Sequence, residues 1–154
     1  MNSNREITYH SIGIIHSPFK SVSGIPVQPT MGKGLEGTVE IFPEYCDALV
    51  DIEGFSHIVL IFHLHLSKGY SLRVVPYGES TLRGLFTTRS PRRPNPIGIS
   101  IVRLAKVNDC ILHIRDLDIV DGTPLLDIKP YIPFLDERHD AHIGWISQKA
   151  QKKR

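Results

Sequence analysis

The chain has 154 residues, of which 41% are hydrophobic and 22% charged, and its formal net charge is +2. A chain of this length is one ordinary globular domain that buries a core without covalent staples. No apolar run is long enough to cross a bilayer, and the N-terminal residues lack the apolar centre of a secretory signal. We therefore expect a cytoplasmic protein.

Short β-type runs separated by turn residues follow one another along the chain. The predicted strands cover residues 7–16, 37–42, 56–66, 72–75, 84–87, 97–104, 110–116 and 125–128. Residues 43–52 are the one plausible short helix, because Pro43 stands in its first turn and Gly54 follows its end. No helices are available for parallel crossovers. The fold is therefore predicted to be mainly β, an antiparallel barrel or sandwich, and a closed single barrel with one or two short helices would remove exposed strand edges.

The last part of the chain is polar and charged. It contains Trp145 and Ile146 as large apolar anchors and ends in Lys-Lys-Arg. We predict a barrel domain over residues 1–136 and a mostly irregular tail over 137–154, which wraps a partner subunit or stays partly mobile.

The two cysteines, Cys46 and Cys110, belong to no paired-cysteine motif. In a reducing compartment this predicts two small buried or half-buried hydrophobic residues and neither a disulfide nor a metal site.

Residues 86–98 combine three prolines with three arginines. Each proline fixes its own φ and keeps the preceding residue extended, so this segment, which we call the proline-arginine loop, is predicted to be stiff. Residues 73–103 contain six arginines, no lysine and a single acid, Glu79. Arginines favour bidentate contacts to phosphates, which suits RNA or a nucleotide-containing ligand. A solvated face or internal salt bridges would explain the cluster equally well.

Two further patterns are weak signals. Residues 32–37 fit the dinucleotide-binding pattern G-x-G-x-x-G, but a β-type run follows them where a helix would be needed, so we interpret them as a loop. His57, His63 and His65 share one parity along the third strand. Metal ligation is conceivable there, but packed or pocket-lining histidines are the more common case, and no metal site is predicted.

Four segments, taken together, resemble the TsaA-like (TrmO-type) family. They are residues 12–18, 54–57, 88–98 and the pair 121–124 and 127–131, and the similarity extends over residues 7–136. The resemblance implies a dimeric β-barrel methyltransferase that uses S-adenosyl-L-methionine. It also implies tRNA as the partner and N6 of threonylcarbamoyl-adenosine at position 37 as the acceptor. The alternative is a noncatalytic RNA- or nucleotide-binding barrel.

The resemblance also implies roles for particular residues. Cofactor contacts are expected from Gln28, Pro29, Thr30, His65, Leu66, Arg89, Ile99, Asp121, Gly122, Thr123, Pro124 and Leu126. Substrate contacts are expected from Arg92, Arg93, Asn95 and Lys129. The N6 proton needs an acceptor, and we expect it to be Asp127, or Tyr131 if its pKa is lowered. The alternative for Asp127 is a structural turn in which it pairs with Lys129 or an arginine.

Overall fold

The computed structural model describes residues 5–24 and 33–152. Its strands are β1 (Gly13–His16), β2 (Glu36–Ile41), β3 (His57–His63), β4 (Arg73–Val74), β5 (Arg83–Gly84), β6 (Ile97–Asn108), β7 (Ile111–Arg115) and β8 (Thr123–Pro130). Six of them form a closed antiparallel barrel in the order β1-β2-β7-β6-β3-β8, and β4 and β5 pair as a separate hairpin. The prediction of a single antiparallel barrel is confirmed.

Helices are short. The α-helices are α1 (Pro133–Asp136) and α2 (Ser147–Lys152), and 3-10 helices cover Val22–Gly24, Pro43–Leu49, Ile52–Gly54, Leu85–Thr87 and Gly144–Ile146. In the part of the chain that the structure describes, no helix is long and apolar enough to span a bilayer.

The core fills the barrel interior because the strands alternate inward and outward side chains. β3 shows this most clearly, since Ile58, Leu60 and Phe62 are buried while the residues between them are half-buried. Other strands contribute further fully buried side chains, including Ile15, Val39, Val102, Leu112, Ile114 and Leu125. Burying one such aliphatic side chain stabilises the fold by roughly 1.5–3 kcal/mol.

Several predicted bounds differ from those in the structure, and three elements differ most clearly. The first strand begins at Gly13 and not at residue 7, because the β1–β2 pairing starts there and residues 5–10 are exposed. The strand predicted over 84–87 pairs only at Arg83–Gly84, since the chain then forms a 3-10 turn that buries Leu85. The helix predicted over 43–52 is two 3-10 turns, separated by the left-handed residue Asp51 at φ 68°.

The prediction for the cysteines is wrong, because Cys46 and Cys110 form a disulfide with their Cα atoms 5.3 Å apart. The cause is the strand order. β2 pairs with β7, and the Ile41 N–H donates to the Cys110 carbonyl at 2.8 Å, so the helix after β2 passes over the β6–β7 turn. Sequence spacing alone does not reveal this contact, which joins residues 64 positions apart.

The two ends of the barrel differ in what covers them. At one end, here the capped end, the 3-10 helices Pro43–Leu49 and Ile52–Gly54 and the disulfide lie over the strands. At the other, here the loop end, β3 ends beside the proline-arginine loop that leads into β6, and β7 leads into β8 through residues 116–122. The antiparallel order brings these connections together at one place.

Candidate cofactor and substrate site

A cavity of about 390 Å³ opens at the loop end, and we call it the mouth cavity. Three segments form most of its walls: the end of β3 with the residues after it, the proline-arginine loop, and the connection into β8. Val22 completes the lining. The lining residues are Val22, Phe62, Leu64, His65, Leu66, Ser67, Lys68, Pro91, Arg92, Asp118, Ile119, Val120 and Thr123. A mostly apolar cavity of this size with a few polar groups is typical of a small-molecule site.

Hydrogen bonds fix the proline-arginine loop to the end of β3. The Leu64 N–H donates to the Pro96 carbonyl at 2.7 Å, and the Ser67 hydroxyl donates to the Pro91 carbonyl at 2.8 Å. The packing of β6 against β3 requires glycine at position 98, because a Cβ there would collide with the Phe62 ring. The wall of the mouth cavity is therefore built before any ligand arrives.

The connection before β8 is held by Asp121. Its carboxylate accepts hydrogen bonds from the Ser17 N–H at 2.9 Å and from Lys20 Nζ at 2.6 Å. These two contacts, led by Lys20, lower the pKa of Asp121. Gly122 follows with φ 77°, a left-handed conformation that glycine adopts without strain. Asp121 and Gly122 thus shape the turn that places Thr123 in the mouth cavity.

A second cavity of about 230 Å³ adjoins the first, and we call it the arginine cavity. Its lining residues are Arg89, Ile99, Ser100, Ile101, Asp116 and Asp118. Asp118 lines both cavities, so it stands at their junction. Its Oδ1 accepts a hydrogen bond from the Ser100 hydroxyl at 2.8 Å.

The six clustered arginines have different surroundings. Arg83 pairs with Glu79 at 3.8 Å, and Arg103 pairs with Asp116 at 3.6 Å. Arg93 donates to the carbonyls of Thr88 and Ser90, so it stiffens its own loop.

The other three arginines, Arg73, Arg89 and Arg92, form no salt bridge with any residue in 5–24 or 33–152. Internal salt bridges therefore account for two of the six arginines. Arg89 and Arg92 each line a cavity at the loop end.

Several expected site residues lie elsewhere. Asn95, Pro124 and Leu126 line a cavity of about 630 Å³, here the outer cavity, together with Arg5, Glu6, Ile7, Tyr9, Ser11, His63, Pro96 and Ile97. Gln28, Pro29 and Thr30 lie outside the described residues. Among the expected cofactor contacts that the structure describes, Asp121 and Gly122 line none of these cavities, and the others are divided among the mouth, arginine and outer cavities.

The two expected proton acceptors lie apart from the mouth cavity. Asp127 lines a cavity of about 320 Å³ at the capped end, and its carboxylate pairs with Lys129 at 2.9 Å. The Tyr131 hydroxyl donates to Glu137 at 3.3 Å. Desolvation and the Glu137 charge raise the pKa of Tyr131. The lowered pKa on which a proton-accepting Tyr131 depends is therefore not found.

The three histidines do not share one face. β3 ends at His63 and the chain turns, so His63 lines the outer cavity and His65 lines the mouth cavity. His57 lies near the capped end, where its Nδ1 is 2.8 Å from the Ser56 hydroxyl. Across residues 5–24 and 33–152, no three His, Cys, Asp or Glu side chains are grouped so that they could hold a metal ion.

Asp118, Ser67 and Lys68 are lining residues that the sequence interpretation missed. The available signal for Asp118 was its place in the run Asp-Leu-Asp-Ile-Val-Asp over residues 116–121. That run contains three aspartates, and sequence alone does not say which one faces a cavity.

Comparison with known proteins agrees with this architecture. Residues 14–137 match the family model described as the tRNA-methyltransferase O N-terminal domain. This match covers most of the chain and all eight strands except the first residue of β1. The chain belongs to this family.

Individual relatives are similar over most of the chain. A probable S-adenosyl-L-methionine-binding protein of Pyrococcus abyssi is 55% identical over 95% of this chain and 79% of its own length. The tRNA (adenine(37)-N6)-methyltransferase of Escherichia coli is 41% identical over 89% of this chain and 63% of its own length. The crystal structure of TrmO from Pseudomonas aeruginosa superposes with a TM-score of 0.78 at 37% identity. That match covers 91% of this chain and 62% of the TrmO chain, so this chain spans less than two thirds of the two bacterial proteins.

Proposed function

We propose that this chain is an S-adenosyl-L-methionine-dependent methyltransferase. Its acceptor would be N6 of adenosine 37 in tRNA, in the threonylcarbamoylated form, and it would act in the cytoplasm. The observation that carries the proposal is the mouth cavity, where His65, Leu66, Thr123 and Arg92 meet from three distant segments. The Pyrococcus abyssi relative, named for cofactor binding, and the Escherichia coli relative, named for the reaction, support it.

The residues present fit the cofactor. S-adenosyl-L-methionine would supply an electrophilic methyl group. The apolar wall of the mouth cavity, with Leu66, Ile119 and Val120, suits an adenosyl group, and Thr123 and His65 add polar contacts. Arg89 in the adjoining arginine cavity suits the carboxylate of the methionine part.

The proline-arginine loop supports RNA as the partner. Arg92 and Lys68 line the mouth cavity, where they would contact phosphates beside the target nucleotide. Because Arg93 and the Ser67 hydroxyl already hold this loop, little conformational entropy is lost when RNA binds.

The removal of the N6 proton is a separate proposal. Asp127 lies four residues after Thr123 on β8, which corresponds to about 13 Å along the strand. An Asp127→Asn variant should lower turnover more than cofactor affinity if Asp127 accepts the proton. Equal losses in both quantities would assign Asp127 to the structural pair with Lys129.

We also propose a homodimer. Ile97, Ile99 and Ile101 on the outer face of β6 are 44%, 56% and 51% exposed, an apolar strip next to half-buried Val59 and Ile61 of β3. Such a strip supports an interface between copies of the chain. An Ile101→Asp variant should halve the mass measured by light scattering. An unchanged mass would place the interface elsewhere.

The test of function is incubation of the protein with methyl-labelled S-adenosyl-L-methionine and total tRNA, with and without prior threonylcarbamoylation, followed by nucleoside mass analysis. We expect one added methyl group on threonylcarbamoyl-adenosine and none on unmodified tRNA. An Arg92→Ala variant should lose transfer while cofactor binding is retained. Cofactor binding without transfer to any tRNA would favour the noncatalytic barrel.

A further inference from the structure

Four aspartates follow one another around the connection before β8, and three of them are paired with a cation. Asp116 pairs with Arg103 at 3.6 Å, Asp121 with Lys20 at 2.6 Å, and Asp127 with Lys129 at 2.9 Å. Asp118 is the fourth.

Within residues 5–24 and 33–152, Asp118 forms no salt bridge, and its carboxylate accepts a hydrogen bond from the Ser100 hydroxyl. Lys68 and Arg92 line the same mouth cavity, but neither forms a salt bridge with Asp118. Arg89 lines the arginine cavity together with Asp118 and forms no salt bridge with it either, so among the described residues no cation lies within salt-bridge distance of this half-buried carboxylate. A half-buried carboxylate without a paired cation suits a cationic ligand.

The position of Asp118 indicates which kind of cationic ligand its carboxylate would bind. Asp118 stands where the mouth cavity meets the arginine cavity. A ligand that extends through both cavities therefore presents its middle to this carboxylate. In S-adenosyl-L-methionine the middle is the sulfonium centre, which lies between the adenosyl group and the amino acid.

The surroundings also favour a sulfonium over an ammonium. Phe62, Leu64 and Ile119 line the mouth cavity around the polar groups. An ammonium is strongly hydrated and needs several hydrogen-bond acceptors, whereas a sulfonium donates no N–H or O–H bond and is attracted through its charge alone. The Ser100 hydroxyl fixes one carboxylate oxygen and leaves the other available.

We propose that the Asp118 carboxylate faces the sulfonium of S-adenosyl-L-methionine and makes the site prefer the methyl donor over its demethylated product. This inference rests on the proposed function. In the transfer the S–CH₃ bond breaks and the N6–CH₃ bond forms. The bonding electrons return to sulfur, which becomes a neutral thioether, and the N6 proton passes to a base or to water. The product no longer has the charge that Asp118 attracts, so its release is favoured.

The test is calorimetric titration of wild type and Asp118→Asn with S-adenosyl-L-methionine and, separately, with S-adenosyl-homocysteine. Both ligands carry the same amino and carboxylate groups and differ in the sulfonium charge. We expect Asp118→Asn to weaken binding of the methyl donor at least tenfold and binding of the product less than threefold. Ser100→Ala keeps the charge and frees the carboxylate, so a smaller loss, about two- to fivefold, is expected for the donor alone.

Glu36→Gln is the control, because Glu36 is a carboxylate already paired with a cation, Arg115 at 3.0 Å, and lines neither the mouth cavity nor the arginine cavity. It should leave both affinities within twofold. Equal losses for the two ligands in Asp118→Asn and Ser100→Ala would overturn the inference and assign Asp118 to the ribose or the amino group. A wild-type protein that binds neither ligand would overturn the proposed function itself. If Asp118→Asn does not fold, as judged by thermal unfolding, the Ser100→Ala result decides.

Discussion

The two ends of the barrel are held together by different interactions. At the capped end, short helices and the Cys46–Cys110 disulfide hold the chain together, and the cavity beneath them is lined mostly by apolar residues. At the loop end, polar side chains hold the connections in place. The Ser17 hydroxyl donates to the Ile119 carbonyl at 2.6 Å, and the Thr123 hydroxyl donates to the Val120 carbonyl at 2.7 Å.

This difference indicates that one end of the barrel mainly stabilises the fold and that the other also binds ligands. A covalent link and apolar packing stabilise an end without presenting groups to a ligand. Hydrogen-bonded loops order an end and also leave side chains such as Arg92 and Asp118 directed at cavities. Changes at the capped end, other than at Asp127, should therefore alter stability alone, and changes at the loop end should alter ligand binding as well.

The largest effect is expected from a Cys46→Ala/Cys110→Ala double variant. The two cysteines are 64 positions apart in sequence, so the disulfide restricts the unfolded chain. The chain-entropy model gives a loss of about 4 kcal/mol in the free energy of unfolding when this link is removed. Denaturant titration should show this loss, and reduced wild type should behave like the variant. Cofactor affinity should stay within twofold of wild type. A parallel loss of affinity would contradict the separation of the two ends.

The next effect is expected from Gly98→Ala. The new Cβ collides with the Phe62 ring, which is 6% exposed and lines the mouth cavity. Overpacking of this kind costs about 2 kcal/mol, and the displaced ring should also weaken cofactor binding.

Gly54→Ala is the control at the capped end, because no atom lies within 4 Å of the Cβ position there. It should change the free energy of unfolding by less than about 0.5 kcal/mol. Unchanged cofactor affinity in Gly98→Ala would show that the Phe62 ring moves away from the mouth cavity and not into it.

The barrel could be predicted from sequence because alternation is a local signal. In β7, Leu112 and Ile114 are buried while the residues beside them are not, and the amino-acid sequence alone shows this alternation. The 3-10 turn at Leu85 and the disulfide could not be predicted, because each depends on which distant segment packs against it.

The candidate site was predicted in part, because His65, Leu66, Arg92 and Thr123, which the resemblance proposes as contact residues, line the mouth cavity. The division of the other proposed residues among the cavities follows from the strand order. Asp118 differs from Asp116 and Asp121 in its lack of a cationic partner, and the partners Arg103 and Lys20 come from distant parts of the chain. No local pattern contains that information.

A smaller effect is expected from Asp121→Asn at the loop end. The amide oxygen still accepts from the Ser17 N–H, but the charge that attracts Lys20 is lost, which costs about 1 kcal/mol at pH 7. Because the pKa of Asp121 is lowered in the folded state, this contribution is fully present above the unfolded pKa and is lost as the pH falls through the folded pKa. The difference between wild type and variant should be constant from pH 7 to about pH 5 and shrink below about pH 4. Denaturant titrations at pH 7, 5 and 3 measure it, and a difference that grows on acidification would contradict the assignment.

The smallest effect on stability is expected from Trp145→Phe, which tests whether the tail supports the proline-arginine loop. The Trp145 indole N–H donates to the Thr87 carbonyl at 3.1 Å, and its ring lies 4.9 Å from the Arg83 guanidinium. Phenylalanine keeps an aromatic ring and removes the donor, so the free energy of unfolding should fall by about 1 kcal/mol or less.

The informative readout of Trp145→Phe is local. Thr87 precedes Thr88, whose carbonyl accepts from Arg93, so loss of the indole bond should speed amide hydrogen exchange in residues 83–93. Affinity for tRNA should then fall two- to threefold while cofactor affinity is unchanged, because the end of β3 is held by other bonds. Ile143→Ala, in the same tail and 52% exposed, should change neither quantity. Equal effects from both variants would mean that the tail acts through its bulk, and no effect from Trp145→Phe would mean that the loop end is ordered without it.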